Sequence, residues 1–169
     1  HSSLDWDWEV VGVTMTALLA GAVGLLAAER VRRRPLPGFA RMPLLAVVAG
    51  LTLFALVSLV GNQALFAGRE AVARKDYAVA VEHGRRAQDL LPWSYEPAVV
   101  LGDAAARLGD RPGALAAYRD AVAADPRNWV VWLRLAQVAR GDERQRAYTR
   151  VRELNPLEDK LPGEPDARP

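Results

Sequence analysis

Apolar and charged positions are segregated along this chain. Two long runs without a charged side chain, residues 10–28 (VVGVTMTALLAGAVGLLAA) and 43–68 (PLLAVVAGLTLFALVSLVGNQALFAG), both fall before residue 69. Beyond them, apolar residues recur at helical spacing among charges. As helices the runs would extend roughly 28 and 39 Å, against a bilayer hydrocarbon core of ~30 Å. A soluble core helix rarely needs so long an uncharged stretch. Lipid is therefore the expected solvent for two spans, at about 10–28 and 43–61. The Gly and Ala of the first run lower its hydropathy but suit close helix packing in a membrane.

The flanks set an orientation. Ahead of the first run stand Asp5, Asp7 and Glu9 with Trp6 and Trp8, amphipathic rings favoured at a headgroup boundary. The loop 29–42 carries Arg30, Arg32, Arg33, Arg34 and Arg41 against the single acid Glu29, with Pro35 and Pro37. Short arginine-rich loops stay in the cytoplasm, so a hairpin of two transmembrane helices is predicted with its turn inside. The N-terminal edge and everything after Gly68 then lie on the outer, extracytoplasmic side of a multi-pass bacterial inner-membrane protein. The chain opens on His1 with an acidic leader unlike a signal peptide, which implies the C-terminal piece of a longer protein.

From Gly61 onward a spacing of 34 emerges: Asp76 recurs as Asp110, Ala80 as Ala114, Ala87 as Ala121, Pro92 as Pro126, Tyr95 as Trp129 and Leu101 as Leu135. Several agreeing positions at one period mark a repeat architecture. Spacing and residue set resemble the tetratricopeptide repeat (TPR). Its small residues correspond to Ala80, Ala114, Ala87 and Ala121, its closing Pro to Pro92 and Pro126, and its aromatic position to Tyr118, which Gly84 leaves empty one repeat earlier. Trp132, Leu135 and Ala136 fit the aromatic–Leu–small signature of the third repeat. The fold class expected is all-α: two transmembrane helices followed by a TPR-like solenoid of about three repeats over 62–157. Helices are predicted at 62–74, 77–91, 94–108, 111–124, 128–140 and 142–154, the membrane helix running on into the first. In the third repeat Arg144 stands where a small residue belongs, and Pro126 to Pro156 is 30 residues. A shortened, polar last repeat suits a solenoid cap. The tail 158–169 has too little apolar surface to fold and is predicted disordered.

Composition adds little. Almost all of the 22 basic residues are arginine, and the net charge is only +2. No basic patch interleaved with aromatics emerges, so no nucleic-acid partner is expected. Cysteine is absent, which removes disulfides and thiolate metal sites.

Candidate chemistry is sparse. The repeat half shows no catalytic constellation, and no cofactor is implied. His83 between Glu82 and Gly84 reads as a solvated surface residue, and Trp132 as a packing residue. Tyr95 and Trp129 are the partner-binding candidates, either lining a concave groove or packing between repeats. At the N-terminal edge His1, Asp5 and Glu9 share a helical face if HSSLDWDWE is helical. That face would meet a charged headgroup, a proton or a pyrophosphate lipid; an acidic flank with tryptophan anchors is the plainer reading.

The opening H-S-x-x-D-W, carried by His1, Ser2, Asp5 and Trp6 and followed at once by an apolar span, resembles the late transmembrane region of the O-antigen ligase and polymerase family. DWDWE, a last membrane hairpin with an arginine-rich turn, and tetratricopeptide repeats also follow in that family's order. The Pro usual after the acidic stretch is missing, with Val11 in its neighbourhood. The resemblance implies a membrane glycosyltransferase that moves a glycan from an undecaprenyl-pyrophosphate carrier to an acceptor, without a required metal. The family's principal catalytic His and Arg residues lie upstream of this region, so His1 and Asp5 are accessory candidates and this stretch alone is expected to be inactive. The lipid bilayer, the lipid-linked glycan and an envelope protein are the implied partners. The competing reading is a membrane-anchored TPR scaffold without catalytic activity.

Overall fold

The computed structural model describes Gly21 and residues 38–156. The first predicted span, most of the loop 29–42, the tail 158–169, and His1 and Asp5 lie outside the described residues. The chain divides into two units, residues 1–48 and 49–169. Of the first, only Gly21 and the start of one helix are described.

Six helices account for the described chain from residue 38: α1 Gly38–Ala73, α2 Tyr77–Leu90, α3 Glu96–Arg107, α4 Arg111–Ala124, α5 Trp129–Val138 and α6 Gly141–Leu154. The second 34-residue helix pair and its neighbours fall within two residues of the bounds that the sequence spacing predicts. α1 is longer than either of the pieces expected from the sequence, because the apolar run and the first repeat helix are one uninterrupted helix. Among the described residues, Leu45–Ala73 is the one stretch long and apolar enough to cross a membrane.

α1 changes character along its length. From Met42 to Leu59 most of its described large side chains are exposed, among them Leu45, Leu51, Phe54 and Leu56, while Val57 is half-buried. From Gly61 onward one face is covered by the repeat body. Gly61 itself lies beneath the α2 end: a Cβ there would stand 2.6 Å from Leu91 Cγ. Ala64, Leu65 and Ala71 continue that buried face. Glycine and alanine here allow close helix approach, the usual use of small residues in stacked helical repeats.

The remaining helices form antiparallel hairpins. Ala71, Ala80 and Ala104, each fully buried, bring α1, α2 and α3 together at one level. The larger core joins α3 to α6 through Ala98, Ala114, Tyr118, Ala121, Val131, Leu135, Ala136, Ala147, Tyr148 and Val151. Each helix pair closes through a short turn. Asp76 and Asp110 cap α2 and α4, accepting from the Val79 and Gly113 amides at 3.5 and 3.0 Å. Ahead of each cap the chain turns left-handed, at Lys75 (φ 64) and at Gly109 (φ 80), equivalent positions of the repeat. Ser94, expected before α3, is one residue outside the cap and accepts from Glu96 N at 3.3 Å.

The third repeat is the last among the described residues. α5 has 10 residues against 12 in α3, which absorbs half of the shortened spacing, and the connections before and after it absorb the rest. Arg111 Nε donates to the Val138 carbonyl at 2.7 Å, satisfying an acceptor at the α5 end. Ala114 is fully buried, whereas Arg144 in the matching slot of α6 is half-buried, its guanidinium 5.7 Å from the Tyr148 ring centroid. A hollow lined by Ala106, Gly109, Arg111, Gln137 and Val138 makes room for the long side chain, whose Nε is buried there.

Candidate functional site

The first helix of each repeat contributes to one inner-face groove. Its walls are Arg69 and Val72 of α1, Glu96, Val99, Val100 and Asp103 of α3, and Val130, Val131 and Arg134 of α5. Tyr95 and Asn128, the N-cap positions of α3 and α5, close one end. The cavity is about 400 Å³, room for a few side chains of a ligand. Its polar and apolar parts are separated along α3, whose period sets Glu96 and Asp103 two turns apart on one face.

Both acids are met by an arginine from an adjacent repeat. Arg69 Nη2 donates to Glu96 Oε1 at 2.6 Å, and Arg134 Nη1 donates to Asp103 Oδ1. The same Asp103 oxygen accepts from the Tyr118 hydroxyl at 2.6 Å. Tyr118 is 3% exposed, and burial, reinforced by the Asp103 hydrogen bond, pushes its phenol well above the usual tyrosine range. It is therefore a neutral donor, and Asp103 ties α3, α4 and α5 together at the groove wall. A second, outward pair joins Arg119 and Glu143 through two bonds at 2.7 and 2.8 Å. The Arg119 hydrogen bonds hold the Glu143 carboxyl below the usual range.

The groove is thus charge-paired before any ligand arrives. An incoming group meets guanidiniums that keep donors to spare, carboxylates that keep a lone pair, and a valine floor. That set suits an extended polypeptide, whose amides hydrogen-bond and whose apolar side chains sit on Val99 and Val131. Among the described residues no group of three or more His, Asp or Glu residues is arranged to hold a metal.

The predicted residues separate here. Tyr95 lines the groove. Trp129, its repeat equivalent, packs against the larger core, as Tyr95 also does, and is not among the groove-lining residues. By repeat symmetry Trp129 would line the next groove, which needs a further helix on α5, and none follows among the described residues. Trp132 packs against the same core, its Nε1 donating to the Pro126 carbonyl at 3.0 Å. His83 is half-buried rather than solvated, since its Cβ faces Gly68 across the α1–α2 seam. Asp103 and Arg134 are the groove residues the sequence reading missed; their partnership depends on superhelical offset, not on a local motif. Trp93 is mostly exposed and rests on Phe54, with ring centroids 5.3 Å apart.

Comparison with known families agrees with the repeat. Residues 96–138, which cover α3, α4 and α5, match the tetratricopeptide repeat. No curated protein matches the chain. The described body is therefore a helical interaction module of tetratricopeptide type, a class that works by holding other proteins.

Proposed function

We propose that this chain is the membrane-anchored, partner-holding part of an envelope-glycan glycosyltransferase of the O-antigen ligase or polymerase type. The repeats face the extracytoplasmic side and bind a polypeptide of the glycan-assembly machinery. The observation that carries the anchoring is α1: its first half exposes Leu45, Leu51, Phe54 and Leu56, while its second half is the first helix of the repeat body. Leaving that much apolar surface in water costs roughly 25 cal/mol per Å², and the bilayer removes the cost. The enzymatic kinship is supported by the resemblance at His1, Ser2, Asp5 and Trp6, with His1 and Asp5 as accessory residues beside an undecaprenyl-pyrophosphate-linked glycan.

Two measurements test this. The chain has no cysteine, so Arg33→Cys and Ala116→Cys report sidedness with an impermeant thiol reagent on intact cells. Ala116 is exposed on α4, and labelling there but not at residue 33 is expected. Recovery of the protein in the aqueous fraction without detergent refutes the anchoring, and labelling of Arg33→Cys alone refutes the orientation. In the native host, Val130→Asp places an unpaired charge in the groove and is expected to alter surface glycan while the protein stays membrane-bound. Unchanged glycan refutes the glycan-assembly role.

A further inference from the structure

Trp93 sits in the turn between α2 and α3, beside the exposed Pro92, with 55% of its surface exposed. Its ring leans on Phe54 of α1 at 31° with centroids 5.3 Å apart. Phe54, 56% exposed, belongs to the apolar half of α1 ahead of the first buried glycine at Gly61. The antiparallel order of the helices explains the meeting. α1 runs out to Ala73, α2 returns, and the turn after α2 arrives beside the apolar half of α1. The next turn, with exposed Leu108, lies at the opposite end of α3, about 18 Å away.

We propose that this end of the repeat body docks on a lipid surface, with the Trp93 indole seated where the hydrocarbon of the outer leaflet meets its headgroups. The proposal rests on the membrane reading of α1 and adds that the repeats stand on the bilayer instead of being held off by a stalk. Continuity carries it. Whatever covers the exposed ring of Phe54 also reaches Trp93, because the two rings touch. Lipid around the apolar half of α1 must therefore extend to the turn. Indole suits that depth, with an apolar body for the acyl chains and an N–H for the wet side. The contact also moves the outer end of the span from residue 61 back towards Phe54, about 10 Å along the helix. α1 begins at Gly38, which leaves about 24 Å of helix before Phe54, near the ~30 Å hydrocarbon thickness.

The test uses the full chain with single cysteines at Val47, Pro92 or Leu108, each carrying an environment-sensitive NBD label. The proteins are reconstituted in phosphatidylcholine–phosphatidylglycerol vesicles containing lipids with a nitroxide either near the headgroup or deep in the acyl chain. The label at 47 should be quenched most by the deep nitroxide, the label at 92 most by the shallow one, and the label at 108 by neither. Adding Trp93→Ser should lower shallow quenching at 92 at least twofold while leaving 47 unchanged. Quenching at 47 with residue 92 behaving like 108 overturns the docking and leaves the span intact. No quenching at 47 overturns the membrane reading itself, and the docking with it. Protection of 92 that develops in detergent as protein concentration rises assigns the surface to a second copy, and also overturns the proposal.

Discussion

Replacing Gly102 by alanine tests how tightly the second repeat is closed. A Cβ at Gly102 would stand 2.5 Å from Tyr118 Cε1, 2.7 Å from Cδ1 and 2.9 Å from Cζ. Carbon pairs rest near 3.5–4.0 Å, so the ring must retreat by about 1 Å. It has nowhere to go: Tyr118 is 3% exposed, and its hydroxyl is fixed on Asp103 at 2.6 Å. Overpacking of this kind costs about 1–3 kcal/mol. Pulling the hydroxyl off a charged acceptor adds up to ~1.5–3 kcal/mol, and the helix preference for alanine returns about 1 kcal/mol. With the hydroxyl displaced, the expected net loss is roughly 1.5–5 kcal/mol. Gly84→Ala supplies the contrast. There the nearest atoms are Leu101 Cδ2 at 2.9 Å and Cγ at 3.0 Å, the mobile end of a half-buried side chain, so rotation offsets the clash. That variant should fall within about 1 kcal/mol of the parent. Both are read as shifts of the denaturation midpoint in detergent, by tryptophan fluorescence with Trp6, Trp8 and Trp93 replaced by Phe so that Trp129 and Trp132 report, at unchanged slope. In a Tyr118→Leu background the Gly102→Ala penalty should largely vanish, because the two substitutions share one contact. Gly102→Ala proving as stable as the parent, or Gly84→Ala proving the costlier, would refute the packing argument.

Three further outcomes are checked by the same unfolding measurement. Lys75→Gly should stabilise by about 1 kcal/mol, since a lysine pays for its left-handed φ of 64 where the equivalent Gly109 does not. Asp110→Ala should cost about 1 kcal/mol and more than Asp76→Ala, because the Asp110 cap bond is 3.0 Å and the Asp76 one 3.5 Å. The Glu143 carboxyl is held low by Arg119, so its contribution is present above the unfolded-state carboxylate range and is lost as pH falls through the lower folded value. Glu143→Gln should therefore reduce the gap in stability between pH 7 and pH 3; an unchanged gap excludes the pair as a source of acid sensitivity.

The helix bounds were legible because Asp76, Ala80, Ala87 and Pro92 recur 34 residues on, and each has a local cause: a cap, a close approach, a stop. The residues that misled the reading depend on what lies across a gap in sequence. At Gly61 the membrane run passes into the repeat within one helix, as expected, but that this glycine admits Leu91 is visible only in the fold. Asp103 read as a helix-face acid, whereas it holds Tyr118 and Arg134. Tyr95 and Trp129 are equivalent by spacing and both pack against the core, yet only Tyr95 has the first helix of a further described repeat beside it to complete a groove. The groove itself was anticipated only as a shape, since its charge pairing arises from the offset between neighbouring repeats.

The outer face of α6 bears on how this protein would meet copies of itself. Stacked helices of one pitch invite endless addition, an exposed last face seating the first helix of another molecule, which is how open filaments grow. α6 turns Asp142, Gln145, Arg146, Thr149, Arg152 and Glu153 to solvent on one side, and a second helix laid there would have to strip water from all of them. Molecules concentrated side by side are thereby discouraged from threading head to tail through α6.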